Sequence, residues 1–392
     1  MRILIVCPYF HPAISFGGVT STTYNMSIEL SKNGHDVVVY TSDAESKTSR
    51  LQCPKFSTYD GVSVHYFRNI SSSPMGGFFI TPNLLPMLLK NLKTFDIIHL
   101  HEFRTFQNII TSKIADSFQK PYVLQPHGTI PRIDRFETRK LVFDALVGKK
   151  ILRNASAIIP MSDFEKHQII DLNVLNSKFK IIPNNVNLQL FTKALNVEPF
   201  RKKYSISTES KVILYLGRLH KIKNIAVLIH AFSKISAKHK NCTLVIAGPD
   251  YGELDNLQRL SQNLKLGNRV IFTGLLGFKE KLIALHSCRF VVLPSRYELF
   301  GTVILEAFAS KKPVIGSKVG STPELVIPNI TGYLFEPDDI IQLSKYLDDL
   351  LSDDSKVELM GKNGQKLVRE KYTVDLATAR LVNVYQEIIE KF

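Results

Sequence analysis

Residues 290 to 317 read FVVLPSRYELFGTVILEAFASKKPVIGS, and this stretch determines the class of fold. It begins with a continuous apolar, β-branched run and ends with a second one, KPVIGS, each flanked by Pro or Gly. Such runs are typical of parallel strands buried on both faces. The segment between them, residues 302 to 309, is apolar on almost every helical face and predicts a buried helix. A strand, a helix and a strand in this order indicate α/β architecture with a right-handed crossover.

The same alternation of strand-like and helix-like segments continues along the chain. The apolar runs include RILIVC, DVVVYTSD, FDIIHLH, PYVLQPHG and ASAIIPMS in the first half, and KVILYLG, TLVIAG and RVIFTG in the second. A polar segment, residues 192 to 210, separates the two series, and 392 residues exceed the size at which one core stops growing. We therefore predict two doubly wound α/β domains, residues 1–192 and 193–372, with a last helix at 373–392 that packs back on the first domain.

Composition limits the function only loosely. The chain has 44% hydrophobic and 22% charged residues, as soluble globular proteins do, and a formal net charge of +15. That charge is compatible with nucleic acid, anionic lipid or phosphorylated small substrates. The four cysteines form no CxxC pair and fit a reducing compartment. No run of about 18 apolar residues is present, and ILIVC is too short for a signal-peptide core, so we expect a cytoplasmic protein.

The segment LYLGRLHKIKN carries two cations just after a predicted strand. Gly217 ends the strand, Arg218 follows it, and Lys223 precedes a predicted helix start near Asn224. Glycine lets a backbone approach a ligand closely, and helix N-termini attract anions. A guanidinium fork and an ammonium point charge together suit a diphosphate. The alternative is that both cations are solvated loop residues.

Two carboxylates raise the question of what they bind. Glu306 interrupts the apolar helix, and Glu298 lies eight residues before it in the loop after the predicted strand FVVLPS. A buried carboxylate accepts hydrogen bonds and needs donors, which a ribose diol supplies. Glu298 would then reach another part of the same ligand. The alternative is that Glu306 pairs with a buried Arg or Lys.

Taken together, these residues resemble the retaining glycosyltransferases of family 4, whose GT-B fold has two Rossmann-like domains facing across a cleft. The resemblance rests on an ordered series of motifs: Gly217-Arg218-Leu219 with Lys223, Glu298-Leu299-Phe300-Gly301, Leu305-Glu306-Ala307, Pro313-Val314-Ile315, Gly320, Pro323-Glu324 and Gly332.

The resemblance implies a reaction and a role for each of these residues. A sugar would pass from a UDP- or GDP-sugar to an acceptor hydroxyl with retained configuration and without a metal. Arg218 and Lys223 would hold the diphosphate, Glu306 the ribose and Glu298 hydroxyls of the transferred sugar. No carboxylate is a clear candidate for a covalent nucleophile, so front-face attack is the expected mechanism. The catalytic residues would be His127, Glu298, Arg218 and Lys223, and the other donor-binding residues Gly17, Gly18, Gly217, Phe300, Gly301 and Thr302.

The first half fits the family more loosely. Gly17 and Gly18 lie between the first strand and a Thr/Ser-rich helix start, where consecutive glycines can bring amides against a phosphate or an acceptor. A flexible turn is the alternative. In the family, a His-Gly pair at the position of His127 faces the donor sugar. Hinge or cleft-wall roles are expected for the remaining matches, namely Ser162 with Glu165 and Pro183-Asn184-Asn185-Val186.

Four positions depart from the family, which usually has glycine at Asn185, Asn224, Lys312 and Ser321. After glycine, asparagine is the residue that best tolerates left-handed backbone, so the first two are mild changes. Ser321 lies near the expected donor contacts and puts the sugar preference in question.

The acceptor, a glycan or a lipid-linked molecule of the cell envelope, is expected on the first domain. The stretch from 131 to 154 interleaves apolar clusters with the basic residues Arg132, Arg135, Arg139, Lys140, Lys149, Lys150 and Arg153. It predicts either a basic amphipathic surface, which would meet anionic lipid on the inner face of the cytoplasmic membrane or a lipid-linked phosphate, or an ordinary helix with a buried apolar stripe and a solvated face.

Three other functions compete with this one. A non-catalytic sugar-nucleotide scaffold would not need all four donor-side residues. A nucleotide-sugar epimerase would share the fold. A nucleic-acid-binding protein would explain the charge, but no nucleic-acid motif is present and aromatic residues do not interleave with the basic ones. We therefore expect no nucleic-acid partner.

Overall fold

The computed structural model describes residues 1–13, 17–46, 49–71, 78–131, 137–170, 174–193 and 195–392. Two compact units are formed, Met1–Asn184 with Val374–Phe392, and Asn185–Thr373. This division falls a few residues before the predicted boundary at 192/193. The cause is the short helix Leu188–Thr192, which contacts helix Thr302–Ala309 of the second unit. Residues 185–192 therefore pack with the second unit.

The first unit is built around a seven-stranded sheet. Its strands are β1 Arg2–Val6, β2 Asp36–Ser42, β3 Phe56–Tyr59, β4 Val62–Phe67, β5 Ile97–His101, β6 Tyr122–Gln125 and β7 Ala157–Ile158. The order is β3-β4-β2-β1-β5-β6-β7, and every pair is parallel except β3 with β4. β1, β5 and β6 are buried along almost their whole length, as their continuous apolar sequences predict.

Helices and short turns connect these strands. They are α1 Gly18–Lys32, α2 Leu84–Asn91, α3 Phe106–Ser117, α4 Glu137–Phe143, α5 Lys149–Asn154 and α6 Asp163–Ile170, with a π-helical turn at Asp144–Gly148 and 3-10 turns at Leu92–Thr94 and Asn176–Lys178. The predicted last helix, Val374–Ile389, packs against α1 and places Leu381 and Tyr385 in the core of this unit.

The second unit has a six-stranded parallel sheet. Its strands are β8 Lys211–Leu216, β9 Cys242–Ala247, β10 Val270–Gly274, β11 Phe290–Leu293, β12 Val314–Ser317 and β13 Gly332–Phe335. The order is β10-β9-β8-β11-β12-β13. The predicted strand, helix and strand between 290 and 317 are present as β11, Thr302–Ala309 and β12, and β11 pairs with β12 in parallel.

The helices of this unit continue the numbering up to the C-terminal helix. They are α7 Leu188–Thr192, α8 Glu198–Lys203, α9 Ile225–Ser236, α10 Leu254–Asn263, α11 Phe278–Ser287, α12 Thr302–Ala309, α13 Thr322–Leu325, α14 Ile340–Ser352 and α15 Asp354–Lys371, with 3-10 turns at Lys221–Lys223 and Gly267–Arg269; the C-terminal helix Val374–Ile389 is α16. Within the described ranges, no helix has the length and apolar character needed to cross a membrane.

Candidate active site

The predicted donor-side residues follow two adjacent strands of the second sheet. Gly217 and Arg218 come directly after β8, and Glu298 lies in the loop between β11 and α12. From β8 the chain goes on to β9 and β10 on one side, and from β11 to β12 and β13 on the other. Open α/β sheets bind ligands beyond the carboxyl ends of the strands at such a switch point. The strand order therefore places these residues together at the switch point between β8 and β11, where this kind of sheet binds ligands.

Lys223 and Glu298 form an ion pair. Lys223 Nζ donates to Glu298 Oε2 over 2.6 Å, and Ser295 Oγ donates to the same oxygen over 3.2 Å. The two charged side chains are only 16% and 14% exposed. The sequence predicted both residues in the site, but it did not predict that they contact each other.

Arg218 is exposed at the start of the loop between β8 and α9, which also contains Lys223. Its guanidinium lies over the ring of Tyr251, 5.2 Å from the centroid, and its carbonyl accepts a hydrogen bond of 3.0 Å from the Tyr215 hydroxyl. No ion pair of Arg218 is found among the described residues. Its backbone is fixed while its charge remains accessible to an anion.

Glu306 has a cationic partner, which was the alternative interpretation of the sequence. Lys281 on α11 donates its Nζ to Glu306 Oε1 over 2.5 Å, and the Glu306 side chain is 13% exposed. Lys281 was missed because it precedes Glu306 by 25 residues on another helix, and no local spacing indicates such a contact. A ribose on Glu306 would have to share or displace this ammonium.

The N-terminus of α12 is as predicted, with Thr302 as its first residue. Gly301 occupies the N-cap position with left-handed backbone (φ 71°). No side chain makes a capping hydrogen bond to the helix N-terminus, and the first turn contains no acidic residue. An uncapped helix N-terminus is a favourable place for an anion. The ring of Phe300 is buried, so Phe300 anchors the loop in the core.

Residues that replace family glycines have different consequences. Asn224 has left-handed backbone (φ 52°), and its Nδ2 donates to Asp338 Oδ1 over 2.9 Å. Asn185 is not among the residues with positive φ, so its substitution needs no such tolerance. Ser321 is completely buried and donates its hydroxyl to the Leu299 carbonyl. It ties the loop that contains Glu298 to the segment before α13.

In the first unit, Gly17 and Gly18 lie at the start of α1. Gly17 is the N-cap, with φ 78° and no side-chain cap hydrogen bond, and Gly18 is the first helical residue. The first turn of α1 has no acidic residue. The role of Gly17 and Gly18 in binding an anion or an acceptor stays a prediction.

His127 is part of a row of three buried imidazoles. Its Nε2 lies 2.7 Å from Nδ1 of His101, the rings of His101 and His99 stack at 4.1 Å, and His99 Nδ1 lies 2.6 Å from the Tyr385 hydroxyl. Nδ1 of His127 has no hydrogen-bond partner among the described residues. This nitrogen is buried, as is the Nε2 of His101, which also has no hydrogen-bond partner in the part of the chain that the structure describes.

Burial keeps this histidine row neutral. It lowers the pKa of His127 to about 3, and together with the nearby His127 it lowers the pKa of His99 to about 3. The pKa of His101 is well below its usual range because of burial and its two imidazole neighbours. The row consists of two hydrogen-bonded pairs, Tyr385 with His99 and His101 with His127, and the stacked rings of His99 and His101 join them without placing a charge in the core.

These lowered pKa values predict acid sensitivity. Below about pH 6.5 these histidines bind protons in the unfolded chain but stay neutral in the folded protein. Their contribution to the free energy of unfolding is therefore lost as the pH falls towards 3. The variant His101→Gln lacks one of these titrating groups. Its free energy of unfolding should therefore fall less steeply than that of the wild type below pH 6.5, by about 1.4 kcal/mol per pH unit. Urea unfolding of both proteins between pH 7 and pH 5 measures the difference, and parallel curves would contradict the prediction.

Glu165 holds the turn that carries His127. Its Oε1 accepts the Gly128 N–H over 2.5 Å, its Oε2 accepts the Met161 N–H over 2.7 Å, and its own N–H donates to Ser162 Oγ. Glu165 is completely buried, and burial raises its pKa to about 7 although the two amides oppose the shift. The residue predicted as a cleft wall therefore fixes the turn. Asn184 and Asn185, also expected near a hinge, are the last residue of the first unit and the first of the second.

The basic stretch shows features of both predicted interpretations. Ile151 and Leu152 are buried in the core, as in an ordinary helix, whereas Leu141, Val142 and Leu146 are 46%, 52% and 75% exposed. Five of the predicted basic residues lie in these helices: Arg139, Lys140, Lys149, Lys150 and Arg153. Arg132 and Arg135 lie outside the described residues.

Comparison with known proteins gives two family models and several relatives. "Glycosyltransferase Family 4" matches residues 16–190 and "Glycosyl transferases group 1" matches residues 196–367. An uncharacterized glycosyltransferase of Methanocaldococcus jannaschii is 29% identical over 100% of this chain and 99% of its own. N-acetyl-alpha-D-glucosaminyl L-malate synthase of Bacillus anthracis is 22% identical over 99% of this chain and 97% of its own.

Several solved structures are similar over the whole chain, including one from Thermosynechococcus elongatus and one from Anabaena. Sucrose-phosphate synthase from Thermosynechococcus elongatus has a TM-score of 0.80, 23% identity and coverage of 100% of both chains. Anabaena HepE in complex with UDP and glucose has a TM-score of 0.75, 21% identity and coverage of 100% of this chain and 99% of its own. The structural similarity shows the GT-B fold, and the two family models identify a glycosyltransferase. The chain belongs to glycosyltransferase family 4, within group 1.

Proposed function

We propose that the chain transfers a hexose from a UDP- or GDP-sugar to a hydroxyl of a glycan or lipid-linked acceptor, with retention of anomeric configuration, in cell-envelope polysaccharide or glycolipid synthesis. The observation that carries the proposal is the placement of Arg218, Lys223, Glu298 and the start of α12 around one switch point. The similarity to HepE, whose structure is a complex with UDP and glucose, supports a nucleotide-sugar donor.

Some of the donor-side residues stabilise the leaving diphosphate, and the others bind the ribose and the transferred sugar. Arg218 and Lys223 hold the diphosphate beside the uncapped N-terminus of α12, so that the charge developing on the leaving group meets positive groups. When Lys223 turns to the phosphate, Glu298 is released to accept hydroxyls of the transferred sugar. Glu306 accepts the ribose hydroxyls. A front-face attack needs no further carboxylate, and a metal-independent reaction stays a prediction.

The acceptor side is proposed on the first unit. We assign His127 to the reacting sugar, which requires its buried Nδ1 to become accessible when the sugar binds, and Gly17 and Gly18 to the acceptor through their backbone amides. Leu141, Val142 and Leu146, with the five basic residues of α4 and α5, favour attachment to an anionic membrane surface, because exposed apolar groups and cations together suit such a surface.

A nucleotide titration tests the proposed function. At a hundred times its dissociation constant, the correct nucleoside diphosphate should raise the free energy of unfolding of the wild type by about 2.7 kcal/mol. Glu306→Ala should lose most of this gain, because no carboxylate remains for the ribose. Thermal shifts with UDP, GDP, ADP and a short duplex DNA provide the measurement.

Lys281→Met is the matched control for this titration. It removes the ammonium from Glu306 and keeps the carboxylate, so it should keep nucleotide binding. If Glu306→Ala keeps the full shift, the ribose role is wrong, and if only DNA shifts the melting temperature, the transferase proposal fails.

A further inference from the structure

The sheet of the first unit has its own switch point, between β1 and β5. From β1 the chain continues to β2 on one side, and from β5 to β6 and β7 on the other. Tyr9 lies in the loop after β1, and Glu102 directly follows β5. Because β1 and β5 are parallel neighbours, these residues lie at the edge where open α/β sheets bind ligands.

Tyr9 and Glu102 are in direct contact at this edge. The Tyr9 hydroxyl donates to Glu102 Oε1. The backbone of Glu102 has a positive φ of 62°; its N–H donates to the Gln125 carbonyl, and its carbonyl accepts from Asn108 Nδ2, both over 2.9 Å. Burial raises the pKa of Glu102 to about 7. The fold thus fixes the backbone of a partly buried carboxyl residue at the switch point.

No cation is paired with Glu102 in the described part of the chain. The basic residue nearest along the sequence, Arg104, uses its guanidinium on Asp144 and on the carbonyls of Thr129 and Ile130. A partly buried carboxyl that lacks a cation is costly, and such groups cluster at functional sites. In its ionised form Glu102 repels a phosphate, whereas a sugar hydroxyl can donate a hydrogen bond to it. The ring of Phe79 packs edge-on against Tyr9 at 6.5 Å, which adds an apolar wall.

We propose that Tyr9 and Glu102 form an acceptor subsite, in which Glu102 accepts a hydrogen bond from a hydroxyl of a neutral sugar or polyol unit. The proposal rests on the transferase function proposed above and adds the chemical class of the acceptor. Neutral hydroxylated acceptors are favoured over those that carry a phosphate beside the accepting hydroxyl.

Ligand-observed NMR on the full chain tests the subsite. The probes are methyl glucoside, methyl galactoside and methyl mannoside, each compared with the corresponding sugar 6-phosphate, with and without UDP. We expect at least one neutral glycoside to bind the wild type more tightly than its phosphate. At pH 8, where Glu102 is mostly ionised, Glu102→Gln should raise the dissociation constant of that glycoside about tenfold or more, since a hydrogen bond to a charged acceptor is lost. The affinity for UDP should not change.

Two further variants keep the result interpretable. Tyr9→Phe removes one oxygen and keeps the ring, so it should weaken glycoside binding by a smaller factor even if Glu102→Gln does not fold. Glu387→Gln changes an exposed carboxylate of the same unit and should have no effect. The proposal is overturned if no glycoside binds, if the phosphates bind more tightly, or if Glu102→Gln leaves glycoside binding unchanged. Loss of UDP binding alone would refute the proposed donor, while Glu102-dependent glycoside binding would still support the subsite.

Discussion

Replacing Gly320 by alanine is expected to lower the free energy of unfolding by about 4 kcal/mol and to abolish sugar transfer. Gly320 has a φ of 56°, and a Cβ at this position would lie 1.6 Å from the carbonyl oxygen of Glu298. A left-handed backbone costs alanine about 1–2 kcal/mol, and forcing the loop away costs about 1–3 kcal/mol more. The group that has to move is the backbone of Glu298, which the proposed function places on the transferred sugar.

Gly267→Ala is the matched control for this variant. Gly267 has almost the same backbone angle (φ 55°), but a Cβ there would meet no atom within 4 Å. It should therefore cost only the conformational part, about 1–2 kcal/mol, and keep nucleotide binding. Urea unfolding and a transfer assay compare the two variants. Equal costs, or an active Gly320→Ala protein, would show that the loop around Glu298 is not fixed by this contact.

The architecture was largely predictable because burial on both faces leaves a continuous apolar run in the sequence. β1, β8 and β11 are such runs, and their alternation with helices fixed the prediction of two parallel sheets. The antiparallel β3–β4 hairpin was missed, although the Asp60-Gly61 pair between its strands is a recognised hairpin signal, and both residues have positive φ. β3 is half-exposed and β4 alternates apolar with polar residues, so neither strand forms the continuous apolar run on which the prediction of the other strands rested.

The residues proposed for the candidate site could be selected from the sequence, but the contacts between them could not. Gly217, Arg218, Glu298 and Glu306 carry local motifs, but the contacts of Lys281 and Glu165 join segments that only the tertiary fold brings together. The histidine row had one usable signal. His99 and His101 are two residues apart on β5, and a strand places such residues on the same face.

The second large effect is expected at the Lys223–Glu298 pair. Lys223→Met should slow transfer about 100- to 1,000-fold, because one charge that stabilises the leaving diphosphate is removed. It should also lower the free energy of unfolding by about 2 kcal/mol. The reason is that the Glu298 side chain, which is only 14% exposed, is left without its cation. Single-turnover kinetics and urea unfolding measure the two effects separately.

The double variant Lys223→Met with Glu298→Gln separates catalysis from structural pairing. Removing both charges should restore most of the stability, because breaking a partly buried pair is costly mainly through the charge left behind. Transfer should remain lost, since neither the phosphate contact nor the sugar contact returns. Lys203→Met breaks the exposed pair with Glu280 in the same unit and should change neither property. If the double variant recovers transfer together with stability, the pair only supports the fold, and the diphosphate must be held by Arg218 and the helix N-terminus alone.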